Sequence, residues 1–200
     1  MNLIQRAKNI LTTPKTEWNV VAGETATLGS LLTGYVLPLS LIPAAASVLG
    51  GFIFSRGYLG VGFLIATAVI TVIAAILGFV ISSYVVDAFA PTFKSEKNLG
   101  SSAQLMAYSG TAIWVAGILN IIPFIGWIAA LAGVVYAVYL MYLGTGPVKK
   151  TPEDQRIVYV IISVVVYWLI TWVITAIIGG IVLASILGMG MAAGAGAFGH

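Results

Sequence analysis

The stretch GYLGVGFLIATAVITVIAAILGFVISSYVV, residues 57–86, decides the fold, because it contains no Asp, Glu, Lys or Arg. Residues 99–148 and 157–200 share that property. A helix needs roughly 20 residues to cross a hydrocarbon core about 30 Å thick, and lipid tolerates no unpaired backbone. The sequence therefore predicts an all-α integral membrane protein with several spans.

The overall composition supports this prediction. Hydrophobic residues make up 60% of the chain, charged residues make up 8%, and the mean hydropathy is +1.07, which excludes a soluble globular domain of this length. The net charge of +3 is explained by attraction to anionic lipid, so we expect membrane lipids and no nucleic acid as partners. The chain has no cysteine, which excludes disulfides and thiol chemistry.

The apolar runs predict a bundle of five transmembrane helices. The uncharged stretch 99–148 is too long for one crossing, and Asn120, Pro123 and Gly126 supply a turn near its midpoint. The predicted spans are residues 28–54, 58–86, 101–122, 124–143 and 157–187. The glycine- and alanine-rich residues 188–200 then form a flexible tail.

The basic residues predict the orientation, because cytoplasmic loops near spans collect Lys and Arg. With a cytoplasmic N-terminus and an outside C-terminus, only Arg56 lies outside. The other eight basic residues all lie on the inner side: Arg6, Lys8, Lys15, Lys94, Lys97, Lys149, Lys150 and Arg156.

Residues 1–27 are predicted to lie at the cytoplasmic surface of the membrane. Apolar residues recur at helical spacing on one face, which indicates a short amphipathic helix lying at the interface: Leu3, Ile4, Ala7, Ile10 and Leu11. Thr13 caps a second helix that starts at Pro14, and Trp18 is placed to anchor to lipid headgroups. A docking surface for a cytoplasmic partner is the alternative role for this segment.

The predicted spans contain almost no side chains that carry a charge. Apart from Asp87 at the inner end of the second span, no charged residue is predicted there, although pumps and proton relays usually need such residues. Threonines and rows of small residues four apart, such as Ala74 and Gly78, are interpreted as helix-packing positions. The alternative is a solute or lipid path through the spans, with these contacts: Tyr108, Asn120, Tyr136, Tyr139 and Thr171.

The sequence predicts no enzyme, no cofactor and no metal site. The sole histidine is the terminal His200, so no imidazole is placed to act as a base or to join a zinc site. Asp87 and Glu96 lie in one loop beside Lys94 and Lys97, and we interpret them as solvated residues or helix ends.

A family resemblance emerges along residues 107–154, AYSGTAIWVAGILNIIPFIGWIAALAGVVYAVYLMYLGTGPVKKTPED. It carries Ala-Tyr-Ser at 107–109, Ile-Pro at 122–123, Tyr-x-x-Tyr-Leu at 139–143 and a Gly-to-Pro exit at 144–147. This order resembles the Yip family, the Ypt/Rab-interacting proteins with a five-span domain. Thr-Pro-x-x-x-Trp at 13–18 and Tyr-x-Leu-Pro at 35–38 resemble its short bacterial members.

The resemblance implies topology more than mechanism. Eukaryotic members have a long cytoplasmic N-terminal region and an Asp-Leu-Tyr-Gly-Pro motif, and they are linked to prenylated Rab GTPases and membrane shaping. Here the N-terminal segment is short, and the nearest match, DAFAP at 87–91, lacks the Tyr-Gly. Binding of a Rab protein is therefore not implied.

The sequence thus favours a non-enzymatic protein of the bacterial cytoplasmic (inner) membrane that acts as an adaptor or membrane-organising element through its cytoplasmic face. The alternative is a small-solute or lipid transporter or channel, which with so few spans would be oligomeric. A cytoplasmic or membrane protein partner and a homo-oligomer both stay open. The predicted partner or lipid contacts are these residues: Arg6, Lys8, Trp18, Asp87, Pro91, Lys149 and Lys150.

Overall fold

The computed structural model describes residues 2–56, 58 and 60–197, and within these ranges the chain is helical with short connections and no strand. A π-helical turn, Leu32–Val36, joins α3 to α4, and 3₁₀ turns follow α5 (Ala90–Phe93) and α6 (Gly117–Ile121). The α-helices are α1 (Leu3–Thr12), α2 (Pro14–Ala22), α3 (Leu28–Leu31), α4 (Leu37–Phe54), α5 (Val61–Phe89), α6 (Leu99–Ala116), α7 (Pro123–Lys149) and α8 (Glu153–Ala197).

Four helical segments of the described chain are long and apolar enough to cross a membrane, which agrees with the predicted multi-span, all-α character. They are Leu28–Phe54, Val61–Phe93, Pro123–Lys149 and Glu153–Ile181. The predicted span 101–122 corresponds to α6 and its 3₁₀ turn, which do not reach that apolarity. The reason is position: α6 lies inside the bundle, against α3, α4, α5 and α7, so its serine, glutamine and tyrosine side chains face protein.

Several helices extend beyond the predicted spans. α7 continues past residue 143 to Lys149, and α5 starts at Val61 and ends at Phe89. The backbone of α8 is helical from Glu153 to Ala197, whereas residues 188–200 were expected to form a flexible tail. Residues 198–200 lie outside the described residues, so the flexibility of the tail stays a prediction.

The first span changes its helical pitch because of a proline. Pro38 has no N–H, and its ring would press on the carbonyl of Gly34 in a regular α-helix. The π-helical turn Leu32–Val36 lies just before this position and loosens the backbone there.

Glycines allow the helices to approach closely, as the rows of small residues predicted. A Cβ at Gly50 of α4 would lie 2.5 Å from the carbonyl oxygen of Ile121, and one at Gly133 of α7 would lie 3.0 Å from the Cβ of Ala116. At Gly78 of α5 the nearest neighbour is the Thr171 hydroxyl of α8. The packing interpretation is confirmed at Gly50 and Gly133, whereas an added Cβ at Gly78 would make only an ordinary contact at 3.5 Å.

The N-terminal segment forms two short helices, α1 and α2, that fold into a hairpin. The Asn2 side chain caps α1 by accepting a hydrogen bond from the Gln5 N–H at 2.8 Å. Thr13 occupies the cap position of α2, but its hydroxyl donates back to the Asn9 carbonyl. The predicted side-chain cap is therefore wrong, because the last turn of α1 uses that hydroxyl.

Candidate functional site

Most of the charged residues of the chain meet at one end of the bundle, which we call the polar end and define as residues 2–27, 87–100 and 144–156. The backbone N–H of Glu96 donates to the Lys149 carbonyl at 2.8 Å, and the hydroxyls of Ser95 and Thr151 are 2.9 Å apart. The side-chain amide of Gln104 donates to the Glu24 carbonyl at 3.0 Å. These contacts join the hairpin and both loops into one surface.

Within the hairpin, a buried arginine lies between two acids, and we call Arg6, Glu17 and Glu24 the hairpin cluster. Arg6 donates from Nη1 to Glu17 Oε1 at 2.6 Å and from Nη2 to Glu24. Glu17 Oε2 also accepts from the Asn9 amide at 3.0 Å. Burial acts to lower the pKa of Arg6, but the hydrogen bond that Arg6 donates to Glu24 and the nearby charges outweigh it and leave that pKa raised, so the guanidinium stays charged.

Aromatic side chains connect the hairpin cluster to the helices of the bundle. The Arg6 guanidinium lies 5.3 Å from the centroid of the Tyr108 ring, a cation–π distance. Tyr35 meets Tyr108 edge to face at 4.9 Å, and its hydroxyl lies 2.7 Å from the Thr111 hydroxyl. Arg6 and Tyr108 are therefore fixed relative to the first span and α6.

Trp18 of α2 is fully buried, which contradicts its predicted role as a headgroup anchor. Its indole lies against Gly144 of α7, where an added Cβ would be 2.8 Å from both the ring and Leu105. The ring also meets Tyr108 edge to face at 6.2 Å. The sequence could not show that a glycine 126 residues away leaves the space that this ring fills.

A second buried charge pair joins α5, α6 and α7, and we call Asp87, Ser102 and Lys149 the lysine cluster. Lys149 Nζ donates to Ser102 Oγ at 2.6 Å, to Asp87 Oδ1 at 3.2 Å and to the Asn98 carbonyl at 3.2 Å. The Ser102 hydroxyl donates to Asp87 at 2.9 Å. All three protons of the ammonium are thus used, although Lys149 has no exposed surface.

The predicted contact residues divide into buried and exposed groups. Lys8, Pro91 and Lys150 are exposed, and Lys150 pairs with Glu96 at 2.7 Å. The Lys150 hydrogen bond and charge lower the pKa of the Glu96 carboxyl. The other four have buried side chains and hold the polar end together instead of presenting a surface to a partner: Arg6, Trp18, Asp87 and Lys149.

Two pairings at the polar end were missed by the sequence analysis. Asp87 is buried and bonded to Lys149, so of its two interpretations the solvated residue is wrong, whereas the helix end is confirmed, because Asp87 lies in the last turn of α5. A signal was present, because an acid at the inner end of a predicted span is expected to pair with a base near the end of another span. The pairing of Arg6 with Glu17 had no comparable signal, because all charges of the hairpin lie outside the apolar runs.

The residues predicted to line a solute path lie at separate places. Tyr108 is buried, with its ring against Arg6 of the hairpin cluster. Asn120 lies in the 3₁₀ turn after α6, against Gly126. Tyr136 donates to the Leu11 carbonyl at 2.7 Å and its ring neighbours that of Tyr139. Thr171 faces Gly78. Of the five, Tyr136 and Tyr139 are neighbours, whereas Tyr108, Asn120 and Thr171 each contact other residues. The contacts of these residues therefore do not join them into one set.

Two polar clefts adjoin the hairpin cluster. One, of about 540 Å³, has Arg6, Glu24, Tyr35 and Tyr108 among its lining residues. The other, of about 370 Å³, lies between residues 24–28 and the start of α6. A third cavity, of about 50 Å³, is almost wholly apolar and lies among α5, α6, α7 and α8. The described residues include no group of three or more His, Cys, Asp or Glu placed to hold a metal ion.

Comparison with known proteins assigns most of the chain to one domain family. The family model described as the Yip1 domain matches residues 8–175, which include the hairpin from Lys8 onward, the lysine cluster and most of the apolar helices. No curated protein and no solved structure matches the chain.

Proposed function

The chain belongs to the Yip family of multi-pass membrane proteins, and we propose that it is a non-enzymatic adaptor or membrane-organising protein that acts through its polar end. One observation carries the proposal. The two buried clusters fix the hairpin and both loops in place, so the exposed residues between them have defined relative positions. These exposed residues are Lys8, Lys15, Pro91, Lys94, Lys97 and Lys150.

The proposed topology keeps five spans, with the polar end on the cytoplasmic side of the bacterial inner membrane. α6 and its 3₁₀ turn together are about 35 Å long, which is enough to cross a hydrocarbon core. Because neighbouring helices cover α6, it does not need the apolarity of a lipid-facing helix. The concentration of lysine at the polar end supports its cytoplasmic placement.

The alternative, a transporter or channel, has less support. Its five candidate residues do not converge, and the cavity among α5 to α8 is small and almost wholly apolar. In contrast, the polar end combines a fixed framework with exposed charge, as a docking surface requires.

Site-specific photocrosslinking in native membranes tests the proposal. A crosslinking residue is placed at Lys8, at Lys94 or at Lys150, each of which is exposed at the polar end, and the captured protein or lipid is identified by mass spectrometry. We expect the same species at all three positions. We expect it to be lost when Lys8 and Lys150 are both changed to Gln.

Tyr58 is the matched control position, because it is 91% exposed in the turn at the opposite end of the bundle. Capture of the same species at Tyr58 with equal yield would contradict a role specific to the polar end. Capture of nothing above background at all three lysine positions would reject the adaptor role itself.

A further inference from the structure

The larger polar cleft has the properties of a binding site. Its walls come from separate parts of the chain: Arg6 from α1, Glu24 from the connection after α2, and Tyr35 from the first span. Tyr108 of α6 also lines it. Since Arg6 and Trp18 of the hairpin both contact Tyr108 of the bundle, these side chains are already in place before any ligand arrives.

The charge of the hairpin cluster favours a cationic ligand. One guanidinium faces two carboxylates, which leaves one negative charge uncompensated within the cluster. Both oxygens of Glu17 are used, one by Arg6 and one by Asn9. Both Glu24 oxygens also accept from Arg6 Nη2, but the Glu24 side chain is 40% exposed and lines the cleft, so the remaining lone pairs of its carboxylate can accept further hydrogen bonds.

An independent observation comes from Tyr108, which is only 6% exposed. Its ring is fixed by edge contacts with Trp18 and Tyr35 and by the Arg6 guanidinium. Its hydroxyl makes no hydrogen bond to a described residue, and because it is not among the buried polar atoms, it is open to a partner from the cleft that Tyr108 lines. A ligand in the cleft would supply that partner.

The surroundings of the cleft favour a lipid headgroup. Leu3 and Leu31 contribute apolar surface to its lining, and Leu31 lies at the start of the first span. Asn2 and Thr25 also line it and carry amide and hydroxyl donors suited to a phosphate oxygen. Such a mixture of cation acceptor, phosphate donor and apolar surface matches a zwitterionic phospholipid at the membrane boundary.

We propose that this cleft binds the ethanolamine headgroup of a phospholipid, with the primary ammonium between the Glu24 carboxylate and the Tyr108 hydroxyl. A primary ammonium has three N–H donors for these oxygens, whereas a trimethylammonium has none. A quaternary ammonium would need a free aromatic face, and Arg6 already covers that of Tyr108. The proposal rests on the placement of the polar end at the membrane surface that the proposed function includes.

Native mass spectrometry of the full chain in detergent tests this assignment. The protein is titrated with dioleoyl phosphatidylethanolamine, phosphatidylcholine or phosphatidylglycerol, and the bound fraction is measured for each lipid. We expect phosphatidylethanolamine to bind on the order of tenfold more tightly than phosphatidylcholine, since charged hydrogen bonds are gained. We expect Glu24→Gln to remove most of that preference, and Tyr108→Phe to reduce it several-fold while keeping the ring below Arg6.

Glu96→Gln is the matched control, because it removes a carboxylate from the same end of the bundle outside the cleft and should leave the preference unchanged. Equal binding of all three lipids, or a preference that survives both cleft variants, overturns the assignment. Preferential binding of phosphatidylglycerol also overturns it and points to the exposed lysines. Polypeptide capture at Lys94 and Lys150 is measured separately, so loss of the lipid site and loss of the adaptor role are distinguishable.

Discussion

The hairpin cluster and the lysine cluster are both buried cations paired with carboxylates, but one is open and the other is closed. In the lysine cluster, the Lys149 ammonium donates three hydrogen bonds, to Asp87, to Ser102 and to the Asn98 carbonyl, and no surface of Lys149 is exposed. In the hairpin cluster, one guanidinium meets two acids, and the Glu24 side chain lines a cleft. The closed cluster is therefore suited to holding helices together, and the open one to meeting a ligand.

The largest expected effect comes from opening the closed cluster. Lys149→Met leaves the Asp87 carboxylate buried without its cation, so we expect the free energy of unfolding to fall by about 3–5 kcal/mol. Thermal unfolding in detergent measures the loss. Lys150→Met is the control at the neighbouring exposed position, where we expect a change within about 0.5 kcal/mol.

A double variant sharpens this prediction. Adding Asp87→Asn to Lys149→Met removes the uncompensated charge, so the pair should recover a large part of the lost stability. If Lys149→Met costs no more than Lys150→Met, the lysine cluster does not hold the helices together and the contrast between the clusters fails.

Breaking the open cluster should have a smaller and more local effect. Arg6→Met leaves Glu17 buried without its cation, but Glu24 regains water, so we expect a loss of about 2–3 kcal/mol. Amide hydrogen exchange should accelerate in α1 and α2 and stay unchanged in α5 and α7. Lys8→Met, an exposed change on the same helix, is the control. Uniform acceleration across the chain would show that both clusters stabilise one cooperative unit.

The contact between the hairpin and α7 can be tested without changing a charge. Gly144→Ala places a Cβ 2.8 Å from the Trp18 ring and Leu105, so we expect a loss of about 2 kcal/mol from overpacking. Limited proteolysis should then cut the hairpin faster. Gly62→Ala in α5, which meets no atom within 4 Å, should stabilise by about 0.5–1 kcal/mol. Adding Trp18→Leu to Gly144→Ala should remove the clash and recover part of the lost stability. If no stability is recovered, the loss caused by Gly144→Ala does not come from contact with the Trp18 ring.

The smallest effect concerns the exposed pair of Glu96 and Lys150 beside the closed cluster. The pKa of Glu96 is lowered by Lys150, so the pair contributes to stability above the ordinary pKa of a glutamate, and that contribution is lost as the pH falls through the lowered value. Lys150→Ala should therefore reduce the unfolding temperature slightly at pH 7. As the pH falls through that lowered pKa, the difference from the parent protein should shrink, because Glu96 becomes protonated. A difference that grows on acidification would contradict this sign.

The apolar helices could be predicted from the sequence because their cause is local. A long run without charge has few stable alternatives to a helix in lipid, and four such helices appear close to their predicted places. α6 departs from this pattern, since its environment is other helices instead of lipid. The five-span count and the orientation stay predictions.

The candidate site was only partly predictable, because its contacts join distant residues. The basic residues were expected at one end, and most of them lie there. However, no periodicity could show that Asp87 meets Lys149 or that Trp18 fills the space beside Gly144. Such pairings depend on how the helices pack, so Arg6, Asp87 and Lys149 were expected at the surface although they are buried.

The packing of Trp18 against Gly144 also orders the events of biosynthesis. The hairpin is synthesised first, but the glycine surface that receives its indole leaves the ribosome on the order of ten seconds later. Tyr136, which donates a hydrogen bond to the Leu11 carbonyl of the hairpin, is likewise made after it. The N-terminal segment can therefore dock onto the bundle only after α7 has been made.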